Sequence, residues 1–227
     1  RWNYGRDHLF IGESVPLVLE VFNQEKILLF SDVTVSSPQG GIFEEIPGGG
    51  EITHESYGPV TLYSIPVKAY LYTPSKTGRV AIENTTVQSQ ESSGTAAGFS
   101  LTVLPVPEEI MDSGAIGTFS FASSVSPETV EQGGEFSLTM KVSGVGNLNY
   151  LQFPDPQITG ANLLEKKETS SFVPQFEGYS GSRELVYRLA ALSSEQVSIV
   201  VPSFVWLDKE QRIKRGVERR FRIRVRP

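Results

Sequence analysis

The chain of 227 residues contains two histidines, His8 and His54, and no cysteine. Thiol nucleophiles, disulfides, zinc–thiolate centres and iron–sulfur ligation are therefore excluded. His54 lies in Glu51-Ile52-Thr53-His54-Glu55, where two carboxylates and an imidazole offer donors to a metal, but such loose spacing in a loop fixes no coordination geometry. A hydrolytic triad needs a glycine-flanked nucleophile after a strand, and neither histidine is accompanied by one. Gly48-Gly49-Gly50 lacks the Lys and Ser or Thr of a phosphate loop and reads as a turn. Gly144-Val145-Gly146-Asn147 lacks the third glycine and strand-to-helix setting of a dinucleotide site, and reads as a hairpin element with positive backbone torsions. Glu108, Glu109, Asp112 and Asp155 are acids near a junction without the ordered ligand series of a calcium loop. No helix or barrel strand orients two of the 26 acidic residues as a glycosidase pair. No residue is assigned to catalysis, to a cofactor or to a metal.

The rings and the arginines are better candidates, for binding. Tyr57, Tyr63, Tyr70, Tyr72 and Tyr150 are rings that a peptide or a carbohydrate would use, core or edge packing being the alternative. The formal net charge of -6 disfavours nucleic acid as a partner. That charge is uneven. The run from Lys209 to Arg226 holds nine basic residues, and alternation puts Arg222, Arg224 and Arg226 on one strand face opposite Phe221, Ile223 and Val225. Such a face is either solvated or docks an acidic partner or anionic headgroups. Edges at Phe221 to Val225 and Leu62 to Tyr72 are candidates to accept a strand from a partner.

The elements that must position these residues are strands. Val15, Leu17, Leu19 and Val21 alternate with Ser14, Pro16, Val18 and Glu20. Phe99 to Val103, Phe136 to Val142, Leu185 to Leu189 and Phe221 to Val225 alternate in the same way. In Leu62 to Tyr72 the set Tyr63, Ile65, Val67, Ala69 and Leu71 is the expected core face. Lys26 to Val35 contains the next strand, with the apolar cluster Ile27 to Phe30 and then Val33 to Val35 and an irregularity between, and Gln88 to Gly98 fits a hairpin loop. Asn162 to Glu168 is the nearest approach to a helix.

Two passages occur twice. Gly12-Glu13-Ser14-Val15-Pro16-Leu17-Val18-Leu19-Glu20-Val21 recurs as Gly133-Gly134-Glu135-Phe136-Ser137-Leu138-Thr139-Met140-Lys141-Val142, and Phe99-Ser100-Leu101-Thr102-Val103 recurs as Phe221-Arg222-Ile223-Arg224-Val225. The offsets are 121 and 122 residues, so equivalent strands open and close two similar units. With 39% of residues hydrophobic, each unit can bury a core. The expected fold is all-β, tandem immunoglobulin-like or fibronectin-like antiparallel β-sandwiches. The expected divisions are residues 1–106, a proline-stiffened linker at 107–115, and residues 116–227. No apolar run reaches the roughly 18 residues of a membrane span. The chain opens at Arg1 without Met and stops directly after a strand, which reads as a piece of a longer protein with any signal peptide or anchor outside it.

One family has similar passages in this order. Leu104-Pro105-Val106-Pro107 precedes Gly114-Ala115-Ile116-Gly117-Thr118-Phe119. Val125-Ser126-Pro127-Glu128, Gly133-Gly134-Glu135 and Gly144-Val145-Gly146-Asn147-Leu148 follow, then Gly178-Tyr179-Ser180-Gly181-Ser182-Arg183-Glu184-Leu185-Val186-Tyr187 and Pro202-Ser203-Phe204. In these passages the chain resembles the BatD family, the bacterial aerotolerance or oxygen tolerance proteins, over nearly its whole length and most strongly from Leu104 onward. The resemblance implies the periplasmic region of a protein anchored in the inner membrane. It implies a scaffold in envelope stress that docks BatA- and BatB-like membrane proteins with von Willebrand A domains and, indirectly, a MoxR-type ATPase. It brings no catalytic residues. Gly117, Phe119, Gly134, Gly144, Gly146, Asn147 and Arg183 look like determinants of turns and packing, with an interface role for Asn147 and Arg183. The expected function is a non-catalytic interaction scaffold whose interface candidates are Asn147, Arg183, Arg222, Arg224, Arg226, Tyr70 and Tyr72. Binding of a carbohydrate or envelope polymer is the alternative.

Overall fold

Residues that alternate between apolar and polar can bury one face of a strand and wet the other, and sheets built this way pair their apolar faces. The computed structural model of this chain describes residues 1–26, 30–90, 92–192 and 196–227, with side chains 30–32 left out of the description. Ile27 to Leu29, expected in a strand, lie outside the described residues. Two compact units form, Arg1–Val106 with Pro174–Gly178, and Pro107–Val173 with Tyr179–Pro227. Both are β-sandwiches, and the chain is a tandem of immunoglobulin-like domains.

In the first unit the strands are β1 (Trp2–Asn3), β2 (His8–Phe10), β3 (Val15–Asn23), β4 (Phe30–Thr34), β5 (Gly41–Glu45) and β6 (Thr53–Tyr57). They continue with β7 (Val60–Pro74), β8 (Gly78–Ile82), β9 (Thr85–Ser89), β10 (Ser93–Ala96) and β11 (Phe99–Leu104). One sheet has the order β1-β3-β7-β5, with β6 also paired to β7; the others run β10-β9-β4 and β2-β11-β8. Leu9, Leu17, Leu19, Val87, Leu101 and Val103, drawn from all three, share one core. Within 88–98, read as a hairpin loop, Ser93–Ala96 is itself a strand paired antiparallel with β9.

The second unit begins with a 3-10 turn at Glu108–Ile110, followed by β12 (Ala115–Ser126), β13 (Thr129–Glu131), β14 (Glu135–Gly146), β15 (Gln157–Thr159) and β16 (Ala161–Gln175). β17 (Gly178–Ala191), β18 (Gln196–Val201), β19 (Val205–Leu207), β20 (Ile213–Arg215) and β21 (Arg219–Arg226) complete it. Its sheets are β16-β17-β14-β12-β19-β20 and β13-β21-β18-β15. Most neighbours are antiparallel, while β2 with β11, β13 with β21, and β12 with β19 are parallel. The segment 107–115, read as a linker, folds into this unit: Ile110 is fully buried and the Ser113 hydroxyl donates to the Val205 carbonyl. Asn162 to Glu168 is strand within β16, because pairing with β17 overrides a weak helical pattern.

The duplicated passages are the equivalent strands of the two cores. Leu17 and Leu138 are both fully buried, and Leu19 matches Met140 in the same way. Each fully buried side chain of this kind contributes roughly 1.5–3 kcal/mol. Leu9 and Val130 sit beside Val103 and Val225 in the two parallel pairs. Gly12 and Gly133, which open the repeated passages, both have φ 79°, a left-handed torsion that glycine adopts without steric penalty.

Candidate interaction surface

Strand β21 lies between β13 and β18, and β7 lies between β3 on one side and β5 and β6 on the other. Leu62–Tyr72 is paired to β3 from Tyr63 onward and to β6 and β5 at its two ends, and Phe221–Val225 is paired to β18 as far as Arg224 and to β13 from Arg224. Neither stretch is an edge open along its whole length, which narrows the expectation of strand addition there. What β21 does present is a face. Ile223 and Val225 are buried, with Phe221 packed against the same core, while Arg222, Arg224 and Arg226 are exposed on the opposite side. Arg222 stands beside Ser198, Arg224 beside Gln196 and Thr129, and Arg226 beside Glu131.

Asn147 and Arg183 serve the interior of the second unit. Asn147 is fully buried; its Oδ1 accepts the Ile116 N–H at 2.8 Å and its Nδ2 donates to the Gly114 carbonyl at 2.7 Å. Arg183 shares the parity of Leu185 and Tyr187, so it enters from β17 on the core side. Its Nη1 donates to the Leu148 and Leu151 carbonyls at 2.9 and 2.6 Å, its Nε donates to Glu168 at 2.7 Å, and its guanidinium lies 5.5 Å from the Phe153 ring centre. The two side chains fix the path of the chain as it leaves β14. Asn147, being fully buried, is withdrawn as an interface residue; the Arg183 side chain is 13% exposed and already holds four partners.

Gly144 and Gly146 have the expected positive torsions but lie in β14 rather than in a hairpin turn, a second correction. A Cβ on Gly144 would collide with the Thr118 carbonyl, and one on Gly146 would come within 2.7 Å of the Phe119 ring. Gly117 pairs with Gly146, and Gly144 with Gly181, so bare glycine backbone recurs across three adjacent strands. Larger residues have no room there.

Tyr70 and Tyr72 do not form a platform, whereas Tyr57 is exposed and Tyr63 and Tyr150 are half-buried. Tyr72 is fully buried, and Tyr70 is half-buried, stacked on Phe43 at 4.1 Å with Trp2 at 6.4 Å. Both face the first core because Val15 and Leu17, their register partners, do. Of the expected core face of this strand, Ile65 is buried and Val67 packs against the first core, while Ala69 and Leu71 are buried on the strand's other side. A register shift between Leu19 and Glu20 breaks the alternation that the sequence displays. Tyr72 is thereby withdrawn as an interface residue. Burial pushes the phenol pKa of Tyr70 and Tyr72 upward.

The ionisable groups form local locks. Asp208 Oδ1 accepts the Glu210 and Arg212 backbone N–H groups at 3.0 and 2.8 Å, and Oδ2 accepts Arg212 Nε at 3.0 Å. Desolvation pushes the Asp208 carboxyl up, but the backbone and guanidinium hydrogen bonds outweigh it and hold the pKa below the usual carboxylate range. His8 contacts Asp7, and His54 lies 6.0 Å from the Tyr63 ring. Among the described residues no three or more His, Asp or Glu side chains group closely enough to hold a metal ion. A cleft of about 290 Å³ opens in the first unit between Leu19, Val21, Val87 and Ala96. The charged residues lining it, Arg1 and Glu20, pair with each other.

The sequence reading missed the edge of the second unit. β16 is the outermost strand of its sheet, and residues 162–171 are exposed throughout. Leu163 and Leu164 are 53% and 45% exposed, which for leucines on a strand departs from the buried alternation elsewhere. The signal was present as Glu165-Lys166-Lys167-Glu168-Thr169-Ser170-Ser171, seven polar residues of which neither parity is apolar. A strand with no apolar parity has no core to face.

No family model and no curated protein matches the chain. Among solved structures, the Escherichia coli adhesin FdeC is similar at 15% identity and a TM-score of 0.26, over 100% of this chain and 64% of its own. The Yersinia pseudotuberculosis adhesin InvE is similar at 10% identity and a TM-score of 0.31, over 97% of this chain and 58% of its own. The D0–D1 domain of intimin is similar at 11% identity and a TM-score of 0.21, over 97% of both chains. This chain thus spans less than two thirds of the length of the first two. At such scores the sandwich fold stands on the strand pairing of this chain itself.

Proposed function

We propose that this chain is a non-catalytic protein-interaction module of the cell envelope that takes a partner's strand along the outer edge of β16. One observation carries the reading: among the described residues β16 is paired through β17 alone, and residues 162–171 are exposed on both faces. An added strand would gain main-chain hydrogen bonds along this edge, with side chains such as Leu163 and Leu164 giving specificity. Lys166 and Lys167 in mid-strand discourage unselective pairing, as charged residues do on sheet edges.

The resemblance to BatD proteins supports a finer version. In it the chain is the periplasmic part of an anchored inner-membrane protein, and the added strand comes from a membrane protein with a von Willebrand A domain, itself coupled to a MoxR-type ATPase. The carbohydrate alternative is narrowed by Tyr72 being buried and Tyr70 stacked inside the first unit, which leaves Tyr57 and Tyr63 as its rings.

A photo-crosslinker at Lys167 of the full-length protein in its native envelope tests both levels. The expected result is a discrete adduct with a von Willebrand A protein, lost when Thr169 and Ser170 are each replaced by proline. A discrete adduct with some other protein would retain the interaction module and remove the BatD reading. Absence of any adduct, with the chain folded and present, would remove both.

A further inference from the structure

The guanidinium groups of Arg222, Arg224 and Arg226 form a ladder whose step is set by the backbone. Successive same-face residues of a strand are about 6.8 Å apart. β21 is paired to β18 as far as Arg224 and to β13 from Arg224 to Arg226, and its inner residues Ile223 and Val225 are buried. The spacing is therefore fixed before any partner arrives. Among the described residues no ion pair engages these three arginines, whereas nearby Arg220 pairs with Glu218, and Arg212 with Asp208 and Glu210. Their lateral neighbours Ser198, Gln196 and Thr129 are polar and uncharged, and Glu131 stands only at the Arg226 end. A chain of net charge -6 thus gathers cations of one sign on one flat face, where they repel one another.

We infer that this face docks an extended acidic polypeptide segment bearing a carboxylate at every second residue. The argument is charge complementarity with a matched period. A segment in extended conformation repeats its same-side carboxylates at the same interval of about 6.8 Å, so each can meet one guanidinium in the two-point geometry that arginine and carboxylate favour. Ser198, Gln196 and Thr129 add hydrogen-bonding groups beside the charges. This surface goes beyond the strand-addition reading, since it uses side chains of a central strand rather than the backbone of an edge.

The test is fluorescence anisotropy with a labelled peptide of about twelve residues in which Glu alternates with Thr, long enough to cover β21 at about 3.4 Å per residue. A peptide of identical composition with its glutamates in one block is the comparison. The alternating peptide should bind, and binding should weaken about tenfold or more between roughly 50 and 300 mM salt. It should fall about tenfold or more in the R222Q/R224Q/R226Q variant and less in R222K/R224K/R226K, which keeps charge and loses the fork. The Thr169 and Ser170 proline variant should bind normally, so failure here and failure at β16 are separately visible. Equal affinity for the two peptides, undiminished binding by the folded Gln variant, or no binding would overturn the inference. So would ladder-dependent binding to phosphatidylglycerol vesicles that exceeds binding to the alternating peptide, which would assign the face to a lipid surface.

Discussion

Asn147 and Ile116 hold each other by two hydrogen bonds: the Asn147 backbone N–H donates to the Ile116 carbonyl at 3.1 Å, and the Ile116 N–H donates to Asn147 Oδ1 at 2.8 Å. With Nδ2 on the Gly114 carbonyl, one buried amide secures the entry of β12 and the exit of β14 together. Asn147→Ala leaves the Ile116 donor and the Gly114 acceptor buried without that partner. The expected destabilisation is about 2–4 kcal/mol, read from the midpoint of urea unfolding monitored in the second unit.

Two glycines of different setting should respond differently to the same change. Gly144→Ala drives a methyl into the Thr118 carbonyl in the middle of a sheet, where backbone on both sides is paired. Its expected loss is about 3 kcal/mol or more. Gly133→Ala has open space around the new methyl and meets only its φ of 79°, a penalty of about 1–2 kcal/mol. Thermal unfolding of the two variants checks the order; an equal loss would show that cross-strand crowding does not matter at Gly144.

The Tyr72 hydroxyl is buried, with no hydrogen-bond partner among the described residues. Removing it in Tyr72→Phe keeps the ring against Val15 and abolishes an unsatisfied polar group. The first unit should become more stable by about 1 kcal/mol. Chemical denaturation followed in the first unit would show a raised midpoint with an unchanged slope, and a lowered midpoint would mean that the hydroxyl has a partner.

Asp208 gives the second unit an acid-sensitive lock. Its folded pKa is depressed, so the stability it adds is fully present above the unfolded carboxylate value of about 3.9 and is lost as pH falls through the lower folded value. Asp208→Asn should unfold at lower temperature than the parent at neutral pH, with the gap narrowing below about pH 4. A gap unchanged down to about pH 2 would contradict the depressed pKa.

Alternation is a property of a strand taken alone, so the sequence by itself determined that Leu17, Leu138, Leu101 and Ile223 point inward, and the repeat of these passages determined that there are two such cores. It also placed Arg222, Arg224 and Arg226 on one face, because a period of two needs no knowledge of neighbours. Lateral pairing is different. Whether β21 is central and β16 an edge depends on strands distant in the chain, and the hydrogen bonds that decide it leave little mark on residue type. For the same reason Asn147 and Arg183, polar and seemingly available, proved to be turned inward by partners more than 30 residues away. The Gly144 and Gly146 pair looked like a turn because glycine marks both turns and close backbone approach, and only the tertiary structure, by bringing β12 and β17 against β14, selected the second.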